Sequence, residues 1–187
     1  MTAPTAVIPT ELTGTFTIDP THSRIGFVAR HAMVTKVRGA FTEFSGSATL
    51  DAANPTASSA EVTISVASIE TANPQRDEHL RTNDFFDAPT YPEITFRSTG
   101  VEVLGADAFA LTGDLTIKGT TKPVTVEFEH TGVATDPYGN LRAGFEGKAV
   151  INRKDWGVNW NAALETGGVL VSEKITLEFD VSAIRNA

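Results

Sequence analysis

The residues best equipped for chemistry in this 187-residue chain are four histidines, one short run of mixed charge and two tryptophans. The charged run is Arg76-Asp77-Glu78-His79-Leu80-Arg81. Its arginines offer planar forks that match a phosphate or a carbonyl-bearing head group, and His79 or His31 with Asp77 has the makings of a general acid and base. The same run has a purely structural reading. Asp77 and Arg81 stand at i and i+4 with the acid on the N-terminal side, so they can pair with each other or tie a helix to strand ends. Asp84, just before Phe85, reads as a turn acceptor. His22, His31, His79 and His130 lack the close paired spacing of a metal site, and without cysteine a zinc ion would need three of them and a carboxylate. His31 and His130 each continue an inward strand phase, which suits a polar barrel mouth or satisfied hydrogen bonds. His22-Ser23 makes no nucleophilic pair, because strand neighbours point to opposite faces. Trp156 and Trp160, flanked by Asn152, Asn159 and Asn161, have the composition of a sugar platform.

The elements that must position these residues are almost all strands. Period-two alternation runs through Ala60-Val62-Ile64-Val66, Phe16-Ile18, Ile25-Phe27-Ala29-His31, Phe109-Leu111-Gly113-Leu115-Ile117, Val124-Val126-Phe128-His130, Phe145-Gly147-Ala149-Ile151 and Ile175-Leu177-Phe179-Val181. Turn residues separate them at 51–55, 105–107, 118–120, 136–140 and 167–168, so neighbours form antiparallel hairpins. The rhythm stops only between Thr71 and Pro92. There Asn73 caps and Pro74 opens a short helix over 75–82 whose one large apolar residue is Leu80, with Phe85 and Phe86 following at once. A helix with so little to bury is read as a lid.

No long amphipathic helix is available to cover a sheet face, so the inward residues must be buried by other strands. Along single strands they mix rings with glycine and alanine, which suits a partly empty barrel lumen better than a solid sandwich core. Gly26, Gly113 and Gly147 also fit places where strands bend to close. The chain length suits one domain over 1–187, with residues 1–12 as a flexible arm. A net charge of −8 argues against a nucleic-acid or anionic-membrane partner. The start carries no secretory signal and no segment is long enough to span a membrane, from which a cytoplasmic location is expected.

Ile18-Asp19-Pro20-Thr21-His22-Ser23, Phe27, Arg30-His31, the segments 37–41 and 44–46, and Ser68-Ile69-Glu70-Thr71 resemble the YceI-like polyisoprenoid-binding family. The resemblance continues through RDEHLRTNDFFDAPTYP, Ile94 to Ser98, Leu115 to Val124, Ala143-Gly144-Phe145 and Asn152 to Val158, covering about 13–181. It implies an all-β, eight-stranded antiparallel lipocalin-like barrel with one or two short helices, whose lumen holds an isoprenoid lipid. It also gives the Trp156 loop a barrel-closing role. Members of the family are often exported, a pattern from which the signal-free start departs.

An isoprenoid tail has methyl branches and no hydrogen bonds, so its site should be an apolar channel with polar groups at one end. The expected lining is Phe27, Val62, Ile64, Phe96, Leu111, Leu115, Val126, Phe128, Phe145, Leu177 and Phe179, closed by Leu80, Phe85 and Phe86 with His31, Arg76 and His79 near the head group. The expected ligand is a polyprenyl lipid or isoprenoid quinone, carried or sequestered without catalysis; no cofactor or metal is expected, and a homodimer is compatible. Two alternatives stay open: an enzyme acting on an isoprenoid lipid, and a ligand-free interaction module.

Overall fold

A computed structural model describes residues 12–165 and 168–186. The expected N-terminal arm therefore lies outside the described residues, except for Leu12, which is fully buried. Gly167, part of an expected turn, also lies outside them. The elements run β1 (Gly14–Ile18), β2 (Arg24–His31), β3 (Thr35–Phe41), β4 (Phe44–Leu50), β5 (Ser59–Ser65), β6 (Ile69–Glu70), α1 (Pro74–Arg81), β7 (Glu93–Val103), β8 (Ala108–Ile117), β9 (Thr120–Thr135), β10 (Leu141–Asn152) and β11 (Lys174–Arg185). All pairings are antiparallel.

Eight staves close a barrel. β7 to β11 form a meander, and β11 then pairs along its first half with β2 and along its last residues with β1. β1 and β2 are thus two halves of one stave, as are β3 with β4 and β5 with β6, since β6 continues on β3 where β5 had paired β4. The break inside the first stave is made by the Asp-Pro-Thr-His-Ser segment. Asp19 caps a single 3-10 turn, Pro20–His22, by accepting from the Thr21 amide and hydroxyl, at 3.0 and 2.7 Å. Ser23 Oγ accepts from the Ser182 amide and donates to the Ser182 carbonyl, which stitches the restarted strand to β11. Arg142 Nη1 reaches Asp19 at 2.7 Å while its Nε holds Asp136 at 2.8 Å, linking the break to the β9–β10 turn.

The two-residue β8–β9 connection shows why local sequence suffices for many of these turns. Lys118 and Gly119 both take positive φ, 51° and 76°, the geometry of a type I′ hairpin, and Tyr91 lies against Gly119 where a side chain would stand.

Inside the barrel, rings lie over glycines. An added Cβ would meet the Phe27 ring at 2.3 Å at Gly39, the Phe96 ring at 2.5 Å at Gly113, and the Phe128 ring at 2.5 Å at Gly147. Phe27 faces Gly39 and Phe128 faces Gly147 directly across neighbouring strands. Each phenylalanine uses the empty position to lie back against the wall, so aromatic surface is buried without filling the centre. At one end Leu12, Phe16, Ala52, Ala143 and Ala183 pack into a plug backed by Phe109 and Phe145. A larger cluster extends to the other end, where α1 lies.

Gly147→Ala should therefore cost about 1–3 kcal/mol, because the new methyl must displace the Phe128 ring. The cost should shrink when Phe128 is also replaced by leucine, as a double-mutant cycle in urea would show.

The Asp19–Arg142–Asp136 link gives a second expectation. Hydrogen bonds from Thr21, Arg142 and His22 hold Asp19 well below its ordinary value, and the Asn140 amide leads the groups that lower Asp136 from 3.8 to about 2. A carboxylate depressed by folding stabilises the native state above its unfolded pKa, and that contribution is lost as pH falls through the folded one. Stability should thus decline from about pH 4 towards pH 2. Asp19→Asn and Asp136→Asn should be less stable at neutral pH and show a shallower acid decline by urea unfolding.

Candidate functional site

The lumen contains a cavity of about 280 Å³. On β8 its wall runs from Phe109 to Ile117, which is ~20 Å along the barrel axis at ordinary strand rise and tilt, so the space is long and narrow. All the apolar residues expected to line a channel do so: Phe27, Val62, Ile64, Phe96, Leu111, Leu115, Val126, Phe128, Phe145, Leu177 and Phe179. Leu80, Phe85 and Phe86 reach it from α1 and the turn that follows.

The polar residues expected near a head group do not line the cavity. Arg76 turns back to Thr71, donating from Nε to the hydroxyl at 2.7 Å and from Nη2 to the carbonyl at 2.6 Å. His79 Nε2 lies 2.7 Å from Asp84 Oδ2, and its ring meets Phe85 and Trp160 edge-on, with centroids 5.1 and 4.8 Å apart. His31 is exposed at the far end of β2, where it bridges Val171; the inward phase of β2 continues to it, but the strand has passed the rim. His130 keeps its phase as well, yet its Nε2 is buried without a partner among the described residues, against Phe145 at 5.4 Å. Neither the open mouth nor the satisfied hydrogen bonds expected for it are seen.

Helix α1 spans Pro74–Arg81 against the expected 75–82, with Thr82 as its C-cap. Asn73 caps it through the Arg76 amide and Pro74 opens it. Asp77 and Arg81 do not pair with each other. Asp77 is buried and accepts from the Thr71 amide at 2.8 Å and from the Thr71 hydroxyl, while Arg81 donates to the carbonyls of Ala67 and Ile69. Both charges therefore fasten the helix to the ends of the β5–β6 stave. Among the described residues no three His, Asp or Glu side chains gather as a metal site.

Arg153 is a cavity-lining charged residue that the sequence reading passed over. It is 6% exposed, lines the cavity, and donates to the carbonyls of Ser172, Val158 and Val171 at 2.9, 2.7 and 3.3 Å. Burial pulls the guanidinium below its ordinary pKa, opposed by the charge of Glu173. The signal was present: 153 continues the inward parity of Phe145, Gly147, Ala149 and Ile151 beyond the end of β10. Trp156 is buried nearby and donates from Nε1 to the Leu115 carbonyl at 2.9 Å, so this loop closes over the barrel wall. Trp160 packs between it and the α1 turn, 5.2 Å from Phe85.

The family model described as a YceI-like domain matches residues 16–183. A UPF0312 protein of Pseudomonas paraeruginosa is 39% identical over 164 residues, covering 88% of this chain and 82% of that protein. Protein YceI of Escherichia coli O157:H7 is 42% identical over 137 residues, 73% of this chain and 71% of its own length. Among solved structures, Burkholderia cenocepacia BcnA superposes with a TM-score of 0.78 at 28% identity over 88% of this chain and 98% of that one. A polyisoprenoid binding domain from Saccharophagus degradans shares the fold at a TM-score of 0.69 and 15% identity, over 91% and 98% of the two chains. The chain belongs to the YceI-like family.

Because Asp77 alone satisfies the buried Thr71 amide, Asp77→Ala should cost about 1–3 kcal/mol. Amide exchange around Leu80 should accelerate more than exchange in β8 and β9, a difference that hydrogen-exchange mass spectrometry would resolve.

Proposed function

We propose that this YceI-like barrel binds an isoprenoid lipid, a polyprenyl compound or isoprenoid quinone, by burying its tail in the lumen, and that it sequesters or carries that lipid through water. The observation that supports this reading is the lumen itself: a long cavity walled by aliphatic and phenylalanine side chains, with Arg153 its one charged lining residue. Such a wall offers a methyl-branched chain contact at every point and asks no hydrogen bond of it. At roughly 25 cal/mol per Å² of apolar area, a few hundred Å² of tail contributes several kcal/mol before ordering costs. The chain's likeness in fold to the polyisoprenoid binding domain of Saccharophagus degradans supports the same reading. The head group would lie at the α1 end, beside Arg153, and the ligand would enter there by movement of α1 or of the Trp156–Trp160 loop.

Binding accounts for the side chains better than catalysis does. Several groups that acid–base chemistry could use are engaged in holding structure, Asp77 on Thr71, His79 on Asp84, His22 on Asp19 and Ser23 on Ser182, while His31 is exposed and His130 Nε2 is unpartnered beside Phe145. None of them faces the lumen.

Native mass spectrometry of protein as purified, followed by solvent extraction and lipid identification, tests the reading directly. A polyprenyl lipid or quinone at near-stoichiometric amount is the expected result. Leu115→Trp, which places an indole in the channel, should keep the barrel's circular dichroism while retaining several-fold less lipid. Unchanged lipid content in that folded variant would remove the lumen as the site.

A further inference from the structure

The β2–β3 hairpin carries a surface that lipid binding in the lumen does not explain. Met33 is 64% exposed, Val34 75% and Val169, on the neighbouring loop, 36%. They are held together. Met33 Sδ lies over Gly168, the Ala32 amide donates to the Leu170 carbonyl at 2.7 Å, and Arg30 Nη1 donates to the Val34 carbonyl at 3.2 Å. Ala32 and Met33 both sit in the left-handed region, at φ 51° and 63°, which costs energy for residues with a side chain. The chain accepts that cost in a turn that presents two apolar side chains to water.

The charge around this tip is opposite to that of the molecule. Although the chain has 23 acidic residues, none lies between Pro20 and Thr42, a stretch that holds Arg24, Arg30, Lys36 and Arg38. Arg30 and Lys36 face each other across the hairpin just behind the tip. Lys36 makes no ion pair among the described residues and Arg38 approaches Glu178 at 3.7 Å; the acids to set against them are the exposed Glu165 on the Val169 loop and Glu173, which follows the Ser172 bonded to Arg30 and is paired with Lys154 at 2.8 Å. Ala29 and Val171, which adjoin the hairpin tip, also line the lumen, so the patch stands beside the α1 end of the cavity.

From this juxtaposition we infer that the Met33-Val34 tip, with Val169 and the Arg30–Lys36 pair, is a docking surface for an anionic lipid bilayer. Apolar residues at a tip enter the interfacial layer while cations behind them meet acidic head groups. The net charge of −8 does not prevent this, because screening at about 8–10 Å leaves the local patch to decide contact. Docking there would set the mouth of the lumen against the membrane. The inference stands on the outer surface alone and does not require that the lumen hold an isoprenoid.

Flotation with phosphatidylcholine vesicles, with and without about a third phosphatidylglycerol, provides the test. Wild-type protein should float with the anionic vesicles, and its affinity should drop about tenfold in Lys36→Glu, in Met33→Ser with Val34→Ser, and in half-molar salt. Melting curves matching wild type show that the variants fold. Absence of binding to the anionic vesicles, or equal binding by the folded variants, overturns the inference. So does a dimer, seen by light scattering, that the serine variant splits while vesicles are ignored. Lipid extracted from the lumen is scored separately, so a failure of docking and a failure of lumen binding are told apart.

Discussion

The cavity depends on a contact between phenylalanine and nothing. Gly39, Gly113 and Gly147 leave places on the inner wall where the rings of Phe27, Phe96 and Phe128 lie flat. In a barrel of eight staves side chains ordinarily fill the interior, and inward-pointing rings would do so readily. Laid against glycine, the same rings bury their area and leave the axis open. An apolar lumen that stays open is what a lipid tail requires, and it follows from steric vacancies more than from hydrophobicity.

The ends of the barrel are closed in different ways. The end near β1 is closed by a plug of Phe16, Leu12 and alanines, with the Ala52 amide donating to Thr13 Oγ1 at its margin and His130 Nε2 unpartnered beside Phe145. At the other end the closing pieces are held by charged side chains on backbone: Asp77 on the Thr71 amide, Arg81 on the Ala67 and Ile69 carbonyls, and Arg153 on the Val158 carbonyl of its own loop and the Val171 and Ser172 carbonyls of the facing one. Asp77 and Arg153 are themselves buried, so these fastenings are specific and costly to leave unmade, whereas the plug is held by packing. The two ends therefore differ in kind, one packed and one fastened by charge to backbone.

Charge is divided as unevenly as packing. The chain average is strongly acidic, yet the β2–β3 hairpin is basic and apolar, and it stands at the α1 end of the barrel. A net charge reports the far field of a molecule; contact is decided within a Debye length. The composition argument against anionic surfaces is an average over the whole chain, and the local charge of this hairpin has the opposite sign.

Strand phase was legible in the sequence because a buried face repeats every two residues whatever its partner, so the apolar lining could be named before its register was known. The capping pair Asn73-Pro74 and the Lys118-Gly119 hairpin were legible for the same reason: their geometry is local. The destinations of long polar side chains were not. Arg76 and His79 stand on a helix near the cavity but turn to Thr71 and Asp84, and His31 keeps an inward phase on a strand that has already left the barrel. Arg153 shows the converse, since its parity pointed inward while its charge suggested the surface. Sequence by itself determined which residues share a face, through a backbone period that no neighbour can alter. Only the tertiary structure decided where the long polar side chains end, because a flexible side chain takes whichever partner the fold leaves open: Thr71 and Asp84 five residues away for Arg76 and His79, but Val171 and Ser172 on a separate segment for Arg153.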